Sequence, residues 1–394
     1  MKATKQLAVP FNKGYLTGAE SAYMQQAMAN GPMTGDGPFT KRANQLLNQI
    51  IGSRHALLTT SCTHALDMTA LLLDLGPGDE VILPSFTFCS TANAYALRGA
   101  RPVFVDCRSD TLNIDERLVE SAITERTRAI VVVHYAGVAA EMDAITALAR
   151  RHDLVVIEDN AHGLGGTYRG RNLGSIGELA TQSFHETKNV HCGEGGALIL
   201  NDDRFYDRAE IIREKGTNRG QFFRGMVDKY RWMDLGSSYL PSDLLAAFLT
   251  AQLEHFTEIQ RRRMHVWTSY HNRLATWAVE HGVIQPTVPS DRSHPAHLYY
   301  LLLPDLESRS AMLGHLLEQG VLGTFHYQPL HLAPAGQKYG RTEGCPVTED
   351  VADRLLRLPL YADMNDDDID LVVRAVESYR PIRRLPRPSV ACPK

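Results

Sequence analysis

Several familiar devices are missing from this 394-residue chain. Its six cysteines (Cys62, Cys89, Cys107, Cys192, Cys345 and Cys392) include no C-x-x-C pair and no compact cluster. That excludes a disulfide scaffold and a structural zinc site, and fits free thiols in a reducing cytoplasm. No apolar run reaches the roughly 18 residues a membrane helix needs; Asp74 and His134 interrupt the best ones. The opening MKATKQLAVPFNKGYL lacks a long apolar core, so a signal peptide is not expected. Excess positive charge is also absent: 41 Lys and Arg face 45 Asp and Glu, a formal net charge of −4. No bulk field favours nucleic acid or an anionic membrane, and a phosphorylated ligand would need a local site. No G-x-G-x-x-G follows the first strand candidate, and His162-Gly-Leu-Gly-Gly166 has the wrong spacing for a nicotinamide site. G-x-S-x-G and H-E-x-x-H are missing too, which argues against a hydrolase or zinc protease.

What is present is an alternation of short apolar runs with helical patterns. Strand candidates are residues 55–60, 80–84, 102–106, 129–134, 154–158, 181–184 and 196–200, rich in Val, Ile and Leu. Such runs suit parallel strands covered on both faces. Helical patterns at 63–75, 91–98, 115–123 and 142–152 lie between several of them, predicting an α/β unit around a mainly parallel sheet. Residues 217–243 lack periodicity and crowd Gly, Arg and aromatics, as a functional or interface loop does. One long helix is expected over 243–270. A smaller α+β unit follows, with strands at 298–303 and 323–327 and helices at 309–319 and 350–356. The division is therefore 1–250, 251–380 and a basic, Pro-rich tail at 381–394 that reads as disordered.

Open α/β sheets bind ligands at the carboxyl ends of their strands. Lys188 lies in a polar turn after one strand, before the Gly-rich corner Gly193-Glu-Gly-Gly196. A desolvated amine there suits Schiff-base chemistry, although a solvated loop lysine is the commoner occupant. Asp159 ends another strand, where a carboxylate can hold a protonated ring nitrogen or simply cap a turn; His162 follows three residues later. Ser61, Cys62 and Thr63 open a helix, where amides and dipole bind phosphate as readily as a hydroxyl caps the helix. Ser183 can add a hydroxyl to the same phosphate, and Phe88 offers a ring for a planar cofactor to stack on.

The order of these motifs resembles that of the DegT/DnrJ/EryC1/StrS sugar aminotransferases. The matching stretches are Thr60-Ser-Cys-Thr-His-Ala-Leu66, Pro84-Ser-Phe-Thr-Phe88, Glu158-Asp-Asn-Ala-His162, Ser183-Phe-His-Glu-Thr-Lys188 and Gly193-Glu-Gly-Gly196. In 213–243, REKGTNR, QFFRG, DKY and GSSYLPSD are similar to the branch that aminates C4 of TDP-4-keto-6-deoxyglucose. The resemblance implies a fold-type I, aspartate aminotransferase-like enzyme with a seven-stranded, mostly parallel sheet. It implies pyridoxal 5′-phosphate, cycling through pyridoxamine 5′-phosphate, and no metal. Lys188 would be the catalytic residue that anchors the cofactor and moves the proton. Ser61, Cys62, Thr63 and Ser183 would hold the phosphate, Asp159 the ring nitrogen, His162 the phenolic oxygen, and Phe88 the ring face. Ser238 stands where many members carry an Asn that reaches the partner subunit's cofactor. The TDP-sugar would meet Arg219, Arg224, Lys229, Tyr230 and Arg231, with His326, Tyr327 and His331 near the sugar. L-glutamate would be the donor, and the assembly a cytoplasmic homodimer or dimer of dimers sharing active sites. A keto-sugar dehydratase of the same fold carries His in place of the lysine, which leaves transamination favoured. A non-catalytic cofactor-binding regulator remains the other alternative.

Overall fold

The computed structural model describes residues 7–31 and 33–380. The expected tail, 381–394, lies outside the described residues. Seven strands build the main sheet: β1 His55–Thr59, β2 Glu80–Pro84, β3 Arg101–Val105, β4 Thr127–Val133, β5 Val155–Asp159, β6 Leu179–Ser183 and β7 Gly196–Leu200. Their spatial order is β1, β7, β6, β5, β4, β2, β3. The anticipated seven are joined by an eighth, Arg341–Thr342, parallel to β3 at the sheet edge. Two residues from far along the chain leave no periodic signal in a sequence.

Neighbours from β3 to β6 run parallel, while β7 lies antiparallel between β6 and β1. β2 and β7 are buried along their whole length, as continuous apolar strands covered on both faces should be. Helix α1 (Glu20–Ala29) and helix α2 (Pro38–Ile51) pack on the helix Asp243–Glu254 and help close one face. α2 begins with Pro38 and ends at Gly52 in the left-handed region (φ 75°), the usual start and stop chemistry. Asp243 fixes that start from across the chain, accepting 2.8 Å hydrogen bonds from the Thr40 amide and hydroxyl. A Cβ at Gly37 would lie 2.4 Å from the Asp243 carboxylate, so only glycine lets the cap approach. Helix α3 (Cys62–Leu72) follows β1, and helix α4 (Cys89–Ala96) follows β2.

A second core gathers Val266, Tyr270, Tyr299, Leu301, Leu316, Leu356, Val372 and Val376, among others. Val9 of the N-terminal segment joins it, tied by backbone hydrogen bonds to Gly320 and Leu322. Its antiparallel sheet places Leu355–Leu358 between Tyr299–Leu302 and Thr324–Phe325. The helix expected over 243–270 is interrupted at His255, which leaves helical geometry (φ −100°, ψ 13°) and separates Asp243–Glu254 from Phe256–Arg273. The helix expected at 350–356 instead runs Pro346–Arg354, because Pro346 starts it early and Leu355 turns into the middle strand. Helix Asp366–Ser378 escaped the sequence reading although Asn365 and Asp368 form a capping box at its start. Among the described residues no helix is long and apolar enough to cross a membrane.

Candidate active site

The carboxyl ends of β4 and β5 lie level, since Val133 pairs with Asp159, and β6 runs alongside, Asp159 pairing with Thr181 two residues before its end at Ser183. Alternation along β5 sends Glu158 and Asp159 to opposite faces of the sheet. Glu158 is fully buried and accepts hydrogen bonds from the amides of Gly174, Ile176 and Gly177 at 2.7–2.8 Å. The His134 ring also reaches it, Nε2 donating at 2.9 Å while Nδ1 accepts from the Ala140 amide. This network clamps the strand end that presents Asp159. Asp159 is 5% exposed and accepts from the Thr91 hydroxyl at 2.7 Å and the Ala161 amide at 3.3 Å. Burial pushes its carboxyl pKa up, and those bonds and the Lys188 charge oppose the rise only in part. A cationic partner would suit it.

The chain leaves β1 and enters α3 at Ser61, whose hydroxyl caps the helix by accepting from the His64 amide at 3.1 Å. First-turn amides of a helix lack intrahelical partners, so this corner can bind an anion. β7 approaches the corner so closely that a Cβ on Gly196 would lie 2.3 Å from the Cys62 nitrogen. The Gly-rich corner is thereby explained: its last glycine lets the strand lie against the phosphate-type turn.

Beyond β6 the backbone doubles back on itself. Phe184 and Glu186 amides bond the carbonyls of Gly195 and Gly193, and the Cys192 amide bonds that of Phe184. Gly193 sits at φ 80°, a conformation side chains resist. The closed turn aims Lys188 into a cavity of about 490 Å3 lined also by Ser61, Cys62, Thr63, Asp159, His162 and Ser183. Lys188 keeps some exposed surface, yet burial around its amine lowers the pKa to about 8, against the pull of Cys62 and Asp159. Cys62 itself is pushed up to about 12, chiefly by burial, and stays a neutral thiol.

Imidazoles and phenols form the opposite wall. His162 is 7% exposed, its Nδ1 is buried with no hydrogen-bond partner, and burial drives its pKa well down, so the ring is neutral. It stacks on His297 at 4.2 Å between centroids, and His297 is held by Asn189, the residue after Lys188, at 2.9 Å. His326 stacks on Tyr327 at 3.4 Å and meets the Tyr135 hydroxyl at 3.1 Å. Phe88 presents its ring at the cavity and is 58% exposed.

The structure therefore brings together Lys188, Ser61, Cys62, Thr63, Phe88, Asp159, His162, Ser183, His326 and Tyr327. It leaves others outside this chain's cavity. Ser238 is exposed in an isolated bridge with Glu214. Arg219 bonds Glu214, Arg224 bonds Glu210 with both arms, and Lys229, Tyr230 and Arg231 are exposed. His331, expected near the sugar, is instead buried behind the wall, bonded to the Ser85 hydroxyl at 2.7 Å and to Glu349 at 3.1 Å. The turn at Pro329 and the 3-10 helix Leu330–Leu332 carry it away from His326. Sequence reading missed Arg357, Phe11, His297 and Thr91, all lining the cavity.

The family model for DegT/DnrJ/EryC1/StrS aminotransferases matches residues 15–377. The chain belongs to that family. The Bacillus subtilis spore coat polysaccharide biosynthesis protein SpsC is 37% identical over 349 residues, covering 86% of this chain and 89% of SpsC. Among solved structures, the aminotransferase TlmJ of Streptoalloteichus hindustanus is 32% identical with a TM-score of 0.86, covering 94% of this chain and 98% of TlmJ. The Streptococcus pneumoniae putative sugar aminotransferase Spr1654, 25% identical, has been solved in PLP and PMP forms; the PLP form has a TM-score of 0.86, covering 94% of this chain and 97% of that one. DegT-family aminotransferases depend on pyridoxal phosphate, and the donor set here fits it. A lysine with a depressed pKa, a buried carboxyl, an unpartnered imidazole nitrogen and a helix N-terminus complement an aldehyde, a ring nitrogen, a phenolic oxygen and a phosphate. Among the described residues no group of three or more His, Cys, Asp or Glu is placed to hold a metal.

Proposed function

We propose that the chain is a sugar-nucleotide aminotransferase. It moves the amino group of L-glutamate to C4 of TDP-4-keto-6-deoxyglucose and releases 2-oxoglutarate. The observation that carries transamination is the buried Lys188 amine, with a pKa of about 8, facing Asp159 across one cavity. The sugar is supported by the likeness of 213–243 to C4-aminating enzymes and by the polysaccharide role in the name of SpsC.

In this reading Lys188 anchors the cofactor, which when bound supplies an electron sink beside the carbon that carries the transferred nitrogen. Lys188, once displaced, takes a proton from the donor's Cα and in the second half returns one to C4 of the sugar. One amine can serve as base and then acid because its pKa lies near working pH. Asp159 keeps the ring nitrogen protonated, His162 donates to the phenolic oxygen, and Phe88 covers the ring. Ser61, Cys62, Thr63 and Ser183 bind phosphate. A lysine at 188, where dehydratases carry histidine, favours amination over dehydration.

The nucleotide end engages a second subunit in a homodimer. Lys229 and Arg231 are the cations suited to this, since neither forms an ion pair among the described residues, and Ser238 extends the same surface toward the partner's cofactor. Exposed Phe223, Met226, Tyr230 and Trp232 give that segment an apolar surface to bury.

The test is incubation with TDP-4-keto-6-deoxyglucose and L-glutamate. Formation of both 2-oxoglutarate and a 4-amino-4,6-dideoxyhexose is expected; formation of neither rejects the reading. Proton coupling constants of the product assign the amine as axial (galacto) or equatorial (gluco).

A further inference from the structure

The turn 294–297, just before the strand Tyr299–Leu302, is built from features that ordinarily weaken a fold. Ala296 is fully buried at φ 49°, a left-handed conformation that a side chain resists. Arg263, on the helix Phe256–Arg273, is 3% exposed and pairs with no carboxylate among the described residues. Its guanidinium instead donates to the carbonyls of Ala296 at 3.2 Å and His297 at 2.6 Å, and burial brings its pKa down to about 9. The Pro295 carbonyl accepts from Asn189 Nδ2 at 2.7 Å and from Gln260 Nε2 at 3.3 Å. On the other side, a Cβ on Gly137 would collide with Pro295 and lie 2.8 Å from the His162 carbonyl, so the turn packs directly against the backbone of His162. Strained backbone and a buried charge without an acid persist only where the surroundings over-determine them, and they gather where function needs a fixed geometry.

What the turn fixes is the ring of His297. Asn189 Nδ2 donates to Pro295 and to Gln260 Oε1 at 2.9 Å, so its Oδ1 is left to accept from His297 Nδ1, also at 2.9 Å. The imidazole therefore carries its proton on Nδ1, in one tautomer and one orientation. Burial drives its pKa well down and the fields of His162, Lys188, Arg263 and Arg357 act the same way, so the ring is neutral. It is the nearest ring to His162, at 4.2 Å with the planes 23° apart, while Tyr135 and His326 stand at 5.9 and 6.2 Å. Ring contacts thus orient His162, whose buried Nδ1 has no partner.

We propose that Asn189 and His297 are positioning residues that hold His162 in the orientation in which it meets the cofactor's phenolic oxygen. The assignment rests on the reading that gives His162 that oxygen. Asn189 directly follows Lys188, so one amide ties the turn that carries the reactive amine to the imidazole pair on the opposite wall. The carbon that Lys188 serves and the phenolic oxygen are neighbours on the cofactor, and both are then set from a single point. Neither Asn189 nor His297 has to touch the cofactor to do this.

The test reads the pH midpoint at which the visible band of the holoenzyme shifts, with no substrate present. The phenolic oxygen shares a proton with the nitrogen that joins Lys188 to the cofactor. A donor on that oxygen loosens its hold on the proton, so losing the donor raises the midpoint. His162→Phe should raise it by about one pH unit or more, as expected for a lost hydrogen bond to a charged oxygen. His297→Ala should move it the same way by roughly half a unit, about a threefold change in the proton equilibrium. His297→Phe restores a ring to stack on and should recover part of that shift, and Asn189→Ala should resemble it. In the His162→Phe background neither His297→Ala nor Asn189→Ala should move the midpoint further, because both act through His162. Unfolding midpoints are measured alongside; a purely structural role lowers these and leaves the band in place. If His297→Ala does not fold, His297→Phe and Asn189→Ala carry the test. A midpoint moved by His162→Phe but by no change at 189 or 297 overturns the assignment alone. Shifts at 189 and 297 that add fully to that of His162→Phe also overturn it, since the pair would then act on the cofactor directly. A midpoint that His162→Phe leaves in place overturns the reading of His162, and the assignment with it.

Discussion

The segment 217–235 and the cavity around Lys188 are both rich in cations, aromatics and hydroxyls, yet their polar groups are in opposite states. In the segment, Arg219 is paired with Glu214, Arg224 with Glu210, and Asp234 with Arg208, all with substantial solvent contact. In the cavity, the Lys188 amine is desolvated, His162 Nδ1 and Arg357 Nε have no partner, and Asp159 lacks a full complement of donors. Residue type alone does not separate the two regions; the state of each polar group does. Buried polar groups in a folded protein are ordinarily satisfied, so a cluster that is not marks the place where a ligand completes the structure.

The largest expected effect lies at Lys188. Lys188→Ala should abolish the visible cofactor band and lower turnover by about 10³-fold or more, since covalent anchoring and proton transfer are lost together. An unchanged band would place the chemistry on another amine. The depressed pKa gives a second measurement with a definite sign. Protonated Lys188 is not a nucleophile, so capture of pyridoxal phosphate by the cofactor-free protein should accelerate about tenfold per pH unit on approaching pH 8 from below. It should level off above about 8, the pKa of the amine. A rise continuing toward pH 10 would mean that the amine is solvated like those of the loop.

Next in size is the clamp beneath Asp159. Glu158 accepts three backbone amides and the His134 ring with no exposed surface. Glu158→Gln keeps the shape but turns an amide NH2 toward groups that are themselves donors. Breaking such a buried charged network should cost about 3–5 kcal/mol, read as a lower unfolding midpoint and weaker cofactor retention. A midpoint within a degree of wild type would show that the strand end is held by packing alone. The corresponding change in the loop, at an exposed pair, should be hardly measurable.

How much could be read from the sequence follows the same division between local and distant causes. Ser61, Asp159, Ser183 and Lys188 were legible because Asp159 and Ser183 end apolar strands while Ser61 and Lys188 follow within the next turn, and strand ends in an α/β sheet converge. Arg357 was not, since a single arginine in Leu-Leu-Arg-Leu-Pro looks like a solvent-facing position of an edge element. Only the pairing of that strand between two others, against the end of the main sheet, turns it inward. His331 failed in the opposite way. The family resemblance put it beside His326 near the sugar, but a proline and a short 3-10 turn lie between them and bring its ring to Ser85. Phe11 and Asn12 reach the cavity from the far end of the chain, a closure that no local pattern announces.

The smallest effect makes the sharpest use of the comparison, because it separates two arginines of the same loop. Both of Arg224's arms are engaged by Glu210, and its side chain is 45% exposed. Exposed pairs contribute about 0.2–1 kcal/mol, so Arg224→Ala should lower stability by no more than that and leave the sugar-nucleotide KM within about twofold. Arg231 is held through its backbone amide by Asn218 and its guanidinium forms no ion pair among the described residues, so in the proposed reading it is the arginine that meets a diphosphate across a subunit boundary. Arg231→Ala should raise that KM by about tenfold while leaving the glutamate half-reaction untouched, because a phosphate contact remote from the reacting carbon acts on binding alone. If Arg224→Ala has the larger effect, the Glu210 pair opens when the nucleotide binds. The loop would then be a switchable surface, and its contrast with the cavity would be one of timing.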